Sequence, residues 1–178
     1  MTCIAGIAEA GRVYLGCDSL VAAGHEVIQA SDSKVWVAAG VFALGVAGSA
    51  VWWDLLRDRV RWERVARDAT SEQDFRRSLV SEVRAVAQSE GLDLDDEECG
   101  GDALVGVGGT LFRFDSYLTC QRVSERFCAV GSGSAPALGA LYATQRRGLE
   151  PKKRLVLALT AAERYTISVR RPWRWASV

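Results

Sequence analysis

Three residues at equal intervals frame the chemistry open to this chain: Thr2, Asp18 and Lys34, each sixteen positions from the next. A threonine hydroxyl is a weak nucleophile until a base takes its proton. At a chain start that base can be the residue's own α-amine, whose unperturbed pKa of about 7.7–8.0 lies close to neutrality. The amine becomes available only when Met1 is removed. Met-Thr is a common beginning, so Thr2 acquires meaning through its companions. Asp18 closes one predicted strand and Lys34 opens another, and two such ends can converge beside the start of a first strand. A lysine held there by a carboxylate would bring positive charge to hydroxyl and amine, lowering their pKa values and steadying the geometry. The competing reading is a surface ion pair worth little.

The elements that must position these residues follow from pattern. Residues 3–8 (CIAGIA) and 12–17 (RVYLGC) read as strands joined through Glu9-Ala10-Gly11. A polar loop around Ala23-Gly24-His25 follows, then a second hairpin within "KVWVAAGVFALGVAG", turning near Ala39-Gly40. Four strands are thus expected in the first 48 residues. Ser49 then caps a predicted helix with Trp52, Leu55, Leu56 and Val60 on one face. Ser71 with Asp74 opens a second helix carrying Phe75, Leu79, Val83 and Val86, with Gly91 as its stop.

Asp93 to Glu98 reads as a solvated loop. Strands return in "ALVGVGG", "TLFRFDS", "YLTCQRVS" and "RFCAVGSG". Pro136 marks the first turn of a helix ending at Gly148, another helix covers roughly 152–165, and "TISVRR" is expected as the closing strand. Strands, two helices, strands, two helices and a strand imply an α+β domain over 1–178. Its architecture would be a four-layer αββα sandwich of two mainly antiparallel sheets flanked by helices.

Composition excludes several classes. Charge is balanced, 22 basic against 22 acidic residues, so no basic stripe points to nucleic acid. The odd set Cys3, Cys17, Cys99, Cys120 and Cys128 has no CxxC spacing, and His25 is the single histidine; neither disulfide framework nor metal site is expected. No secretory signal and no membrane-length apolar run is read, and a cytoplasmic protein is expected. No cofactor is called for. The glycine-rich "GSGSAPALG" could cradle phosphate at a helix start, but the first strand lacks a dinucleotide fingerprint. Trp52, Trp53 and Trp62 cannot share one narrow helix face, which leaves at least one for a neighbour. Trp173 and Trp175 in the tail are further candidates for a subunit contact.

With these residues in place, the sequence resembles the proteasome β-subunits and the bacterial HslV-type peptidases, both N-terminal-nucleophile (Ntn) hydrolases. The likeness rests on the Thr2–Asp18–Lys34 triplet, on "ALGVAG" at 43–48, on "FCAVGSGSAPALGAL" and on "ERYT" at 163–166. It implies that Thr2 attacks a peptide carbonyl, that Lys34 supplies the electrostatic term and that Asp18 orients Lys34. It further implies a Gly45 N–H at the oxyanion and Ser132 near the threonine amine. Glu163 and Thr166 would stand where the family carries an aspartate and a serine, Glu163 being one methylene longer. Ser49 replaces the family's usual Asp or Thr after the oxyanion glycines. The expectation is a threonine-type endopeptidase in a closed homo-oligomeric ring, with unfolded polypeptide or peptide as substrate and an ATP-dependent unfoldase as candidate partner. Two alternatives stay open: a catalytically inactive ring or assembly subunit, and a small-molecule amidase of the same superfamily.

Overall fold

The computed structural model describes residues 2–23, 26–29, 32–94, 96 and 99–178, with backbone alone at 22–23 and 26–29. Met1, Gly24, His25, Ala30, Ser31, Asp95, Glu97 and Glu98 therefore lie outside the described residues.

The first hairpin forms as its turn chemistry requires. Strand β1 (Ile4–Glu9) pairs antiparallel with β2 (Arg12–Cys17), and Ala10 and Gly11 take positive φ, 51° and 75°. A short hairpin, β3 (Leu20–Ala23) with β4 (Glu26–Gln29), stands where a plain polar loop was expected. Strands β5 (Val35–Ala38) and β6 (Phe42–Gly48) make the next hairpin. The described residues among the first 48 thus hold six strands rather than four; two four-residue strands carry too little alternation to be read from pattern.

After Ser49, whose hydroxyl accepts from the Trp52 N–H at 3.0 Å, helix α1 (Ala50–Asp54) runs into a π-turn over Leu55–Arg59. The turn ends where Val60 becomes extended, its N–H donating to the Leu55 carbonyl. The single helix expected here is therefore broken, although Trp52, Leu55, Leu56 and Val60 are all buried. Helices α2 (Trp62–Asp68) and α3 (Glu72–Ser89) follow. The Ser71 hydroxyl caps α3 by accepting the Asp74 N–H at 3.1 Å.

Strands β7 (Gly101–Val107), β8 (Thr110–Asp115), β9 (Cys120–Arg122) and β10 (Phe127–Val130) precede α4 (Ser134–Thr144) and α5 (Pro151–Tyr165). The final strand is β11 (Arg174–Ser177), not "TISVRR". Residues 166–171 instead cross the end of β2, where the Ser19 N–H donates to the Arg170 carbonyl at 3.1 Å. Pro172, which has no N–H for a ladder, separates that crossing from β11.

One sheet has the order β10-β1-β2-β11 and the other β5-β6-β7-β8-β9, with every pairing antiparallel. Three buried layers hold them together. Ile4, Leu15, Val35 and Leu104 meet between the sheets; Phe42, Trp52, Leu79 and Phe112 fill the space under α1–α3; Ile7, Leu141, Leu155 and Leu159 fill the space under α4 and α5. The fold is the four-layer αββα sandwich, two antiparallel sheets flanked by five helices among the described residues. Trp52 and Trp62 are core residues, and half-buried Trp53 packs edge-on against Trp36. The tail tryptophans fold back on their own chain, Trp175 covering Gly16 so closely that a Cβ there would lie 2.5 Å from the indole.

Candidate active site

The starts of β1 and β5 and the end of β2 meet at one edge of the sandwich, which brings Thr2, Asp18 and Lys34 together. The Lys34 ammonium lies 2.9 Å from Thr2 Oγ1 and 3.0 and 3.2 Å from the two Asp18 carboxylate oxygens. It also donates to the Leu20 carbonyl at 2.5 Å. Asp18 is fully buried and receives the Cys3 and Leu20 N–H groups, each at 2.9 Å. Thr2 and Lys34 are each 7% exposed. This is no surface ion pair. The lysine is fixed by three acceptors besides the hydroxyl, so its charge is held at Thr2 Oγ1 without reorganisation.

The Gly131-Ser132-Gly133 turn between β10 and α4 closes round Thr2. The Thr2 backbone nitrogen donates to Ser132 Oγ at 3.1 Å, and the Gly133 N–H donates to the Thr2 carbonyl at 3.2 Å. Gly131 sits at φ 89°, and a Cβ there would come within 2.3 Å of that carbonyl oxygen, so only glycine admits the approach. The amide a phosphate could have used at Gly133 is committed to the chain's own first residues.

The remaining expected residues fall differently. Glu163 accepts from the Arg171 N–H at 3.3 Å and from its guanidinium at 3.1 Å, and Thr166 donates its hydroxyl to the Ala162 carbonyl at 2.8 Å. The hydroxyl that meets Ser132 belongs to Ser168, at 2.8 Å, buried at 4% exposure. The segment runs two residues out of step with the placement read from "ERYT". A hydroxyl two positions further along was available, but helix-end register is not legible from sequence.

Gly45 lies inside the sheet, opposite Val35 on one side and Leu104 on the other. A Cβ there would meet Ile4 at 2.5 Å, so this glycine serves sheet-to-sheet approach. The Val46 N–H donates to the Lys34 carbonyl at 3.1 Å. Antiparallel alternation turns the amide two residues on, that of Gly48, to the same side and past the end of β5. Gly48 sits there at φ 144°, just before the Ser49 cap. A glycine between a strand and a helix cap was its only sequence signal.

Two thiols flank the cluster. Burial, reinforced by the Asp18 carboxylate, pushes Cys3 up to about 12 and Cys17 up to about 11. Neither is available as a thiolate near neutrality. Among the described residues no group of three or more His, Cys, Asp or Glu side chains could hold a metal ion, and no helix is long and apolar enough to cross a membrane.

No protein-family model matches the chain, and no curated protein matches it in sequence. Solved structures do match it in shape. One is Thiobacillus denitrificans BPH in complex with epoxomicin, at TM-score 0.77 and 22% identity over 99% of this chain and 98% of that one. Eukaryotic HslV from Trypanosoma brucei matches at TM-score 0.76 and 19% identity, over 99% and 98% of the two chains. A Gly-1 mutant of Anbu from Hyphomicrobium sp. strain MC1 matches at TM-score 0.77 and 16% identity, over 98% of this chain and 80% of that one. The chain has the HslV/proteasome-type Ntn-hydrolase fold.

Proposed function

We propose that the chain is a threonine-type endopeptidase acting on unfolded polypeptide or peptide from within a closed homo-oligomeric ring. The observation that carries this reading is the Lys34 ammonium 2.9 Å from Thr2 Oγ1, held by buried Asp18. A buried cation pointed at a hydroxyl is costly as a structural device and useful as a chemical one. Removal of Met1 would convert the Thr2 nitrogen from amide to amine while Ser132 Oγ still holds it. The amine then takes the hydroxyl proton, Thr2 Oγ1 attacks the scissile carbonyl, and the proton passes to the departing amine. The resulting ester is hydrolysed by water, returning the free hydroxyl. The oxyanion falls to a backbone N–H at the end of β6; the Gly48 amide suits this better than that of Gly45, which lies within the ladder. An ATP-dependent unfoldase remains the candidate partner for delivering folded substrates to the ring.

Intact mass and peptide hydrolysis, measured on the same preparation, test the reading. The active protein is expected to lack Met1, Thr2→Ala to abolish hydrolysis, and Thr2→Ser to keep part of it. Epoxomicin, the ligand of one structural neighbour, is expected to bind the wild-type protein and not Thr2→Ala. Full activity with Met1 retained would overturn the mechanism. An assembled ring without any hydrolysis would favour the inactive-subunit reading, and hydrolysis confined to small amides the amidase reading.

A further inference from the structure

Far from Thr2, on the opposite edge of the larger sheet, lies a strand with no neighbour on its outer side among the described residues. Strand β9 is the last in the order β5-β6-β7-β8-β9, four strand spacings or roughly 19 Å from the β5 edge. On its inner side the Val123 N–H donates to Leu111 at 2.9 Å and the Asp115 N–H to Thr119 at 3.2 Å. Arg113 and Gln121 are opposed between them. Antiparallel alternation then turns the backbone N–H and C=O groups of Cys120 and Arg122 outward, to the edge with no strand beside it among the described residues.

That edge borders a cleft of about 590 Å³ against α3, lined by Arg76, Arg77, Val80, Arg84, Leu118 and Cys120 among others. Arg122 reaches across its end to Glu72 at 3.0 Å. Four guanidinium groups therefore face two carboxylates, Glu72 and Asp74, which are already engaged by Arg76, Arg77 and Arg122. Arg84 is exposed and makes no ion pair among the described residues. Half-buried Val80 and Leu118 give the cleft an apolar floor beneath its charged rim.

We propose that this cleft receives an extended, carboxylate-bearing segment of a partner polypeptide, added as a sixth strand alongside β9. The free edge supplies main-chain hydrogen bonds, and every second side chain of the added strand turns towards α3, where it meets both the Val80–Leu118 floor and the surplus arginine charge. A segment with acidic and apolar residues two positions apart, on that one face, satisfies all three. A lysine-bearing segment would meet like charge at Arg84.

The test uses the full chain and a labelled hexapeptide, Asp-Thr-Val-Thr-Asp-Thr, with binding followed by fluorescence anisotropy. Two control peptides accompany it, one with Lys for Asp and one with N-methyl groups on alternate amides. The acidic peptide is expected to bind saturably, and both controls at least tenfold more weakly. Arg84→Glu, an exposed substitution, is expected to weaken the acidic peptide at least tenfold and leave peptide hydrolysis unchanged. Ser81→Trp, which fills the cleft without changing its charge, is expected to weaken it similarly. Equal binding of the N-methylated peptide would overturn strand addition, and unchanged affinity in both variants would overturn the site. A fall in oligomeric mass on Arg84→Glu would assign the cleft to a contact between copies and overturn the partner.

Discussion

Lys34 and Asp18 form a pair whose partners cannot be removed singly without cost. Lys34→Ala leaves a fully buried carboxylate with two backbone N–H donors but no cation. Stranding one member of a buried pair costs about 3–5 kcal/mol, and the retained donors place this case near about 3. At about 2–4 °C per kcal/mol for a chain of this size, Tm should fall by about 6–12 °C while hydrolysis is lost. Lys34→Arg should restore part of the stability and little activity, because a planar fork cannot present a compact ammonium to Thr2 Oγ1. Calorimetry beside peptide turnover separates the two effects; an unchanged Tm would show that the pair adds nothing to stability. The neighbouring thiols make a second prediction. Their folded pKa values, about 12 for Cys3 and about 11 for Cys17, exceed the ordinary value of 9.0, so the folded state retains protons that the unfolded chain gives up. Their contribution is complete below pH 9 and is lost as pH rises towards 11–12. Tm should decline over that window, and alkylation at pH 8 should leave Cys3 and Cys17 unmodified by peptide mapping.

Between residues and fold, the elements meet through glycines that let backbones and rings approach. At the start of β7, Gly101 lies under Trp52 of α1, and a Cβ there would come 2.2 Å from the indole and 2.8 Å from the Ala47 carbonyl. Gly101→Ala should push Trp52 and the end of β6 apart at a cost of about 1–3 kcal/mol. Since Gly48 opposes Gly101 in the β6–β7 ladder, the same change should lower kcat more than it raises KM. Denaturant unfolding with steady-state kinetics checks both; wild-type kcat in a destabilised variant would separate Gly48 from the chemistry.

At the scale of the whole molecule, the tryptophans expected at a subunit contact are engaged within their own chain. Trp52 and Trp62 are core, and Trp53 is shared between Trp36 and the Arg57 guanidinium 4.5 Å from its ring. The outer helical layer offers more. Helix α4 has no charged residue among its eleven and leaves Leu138 36% and Tyr142 67% exposed. A helix without a polar face is usually covered on both sides. For the proposed ring, the double variant Leu138→Glu/Tyr142→Glu should therefore shift light scattering to a smaller species with little change in protomer stability. An unchanged mass would place the ring contacts elsewhere.

Much of this is legible in the sequence. Hairpin turns, helix caps and apolar periodicity are local, so β1–β2, β5–β6, α3 and α5 follow from neighbouring residues. The resemblance also located Thr2, Asp18, Lys34 and Ser132, which the fold brings within hydrogen-bonding reach of one another or of the Thr2 backbone. Other features depended on register, which no local pattern records. A two-residue offset at the end of α5 puts Ser168, rather than Thr166, against Ser132 and turns Glu163 to Arg171. Strand alternation buries Gly45 within the ladder and leaves Gly48 at its open end. The four-residue strands of the β3–β4 hairpin and the π-turn after α1 are too short to show a period of their own. Residue type therefore set the available chemistry, whereas three-dimensional register decided that Ser168 meets Ser132 and that Gly45 lies within the ladder, because facing and hydrogen-bond direction reverse with a single step along a strand.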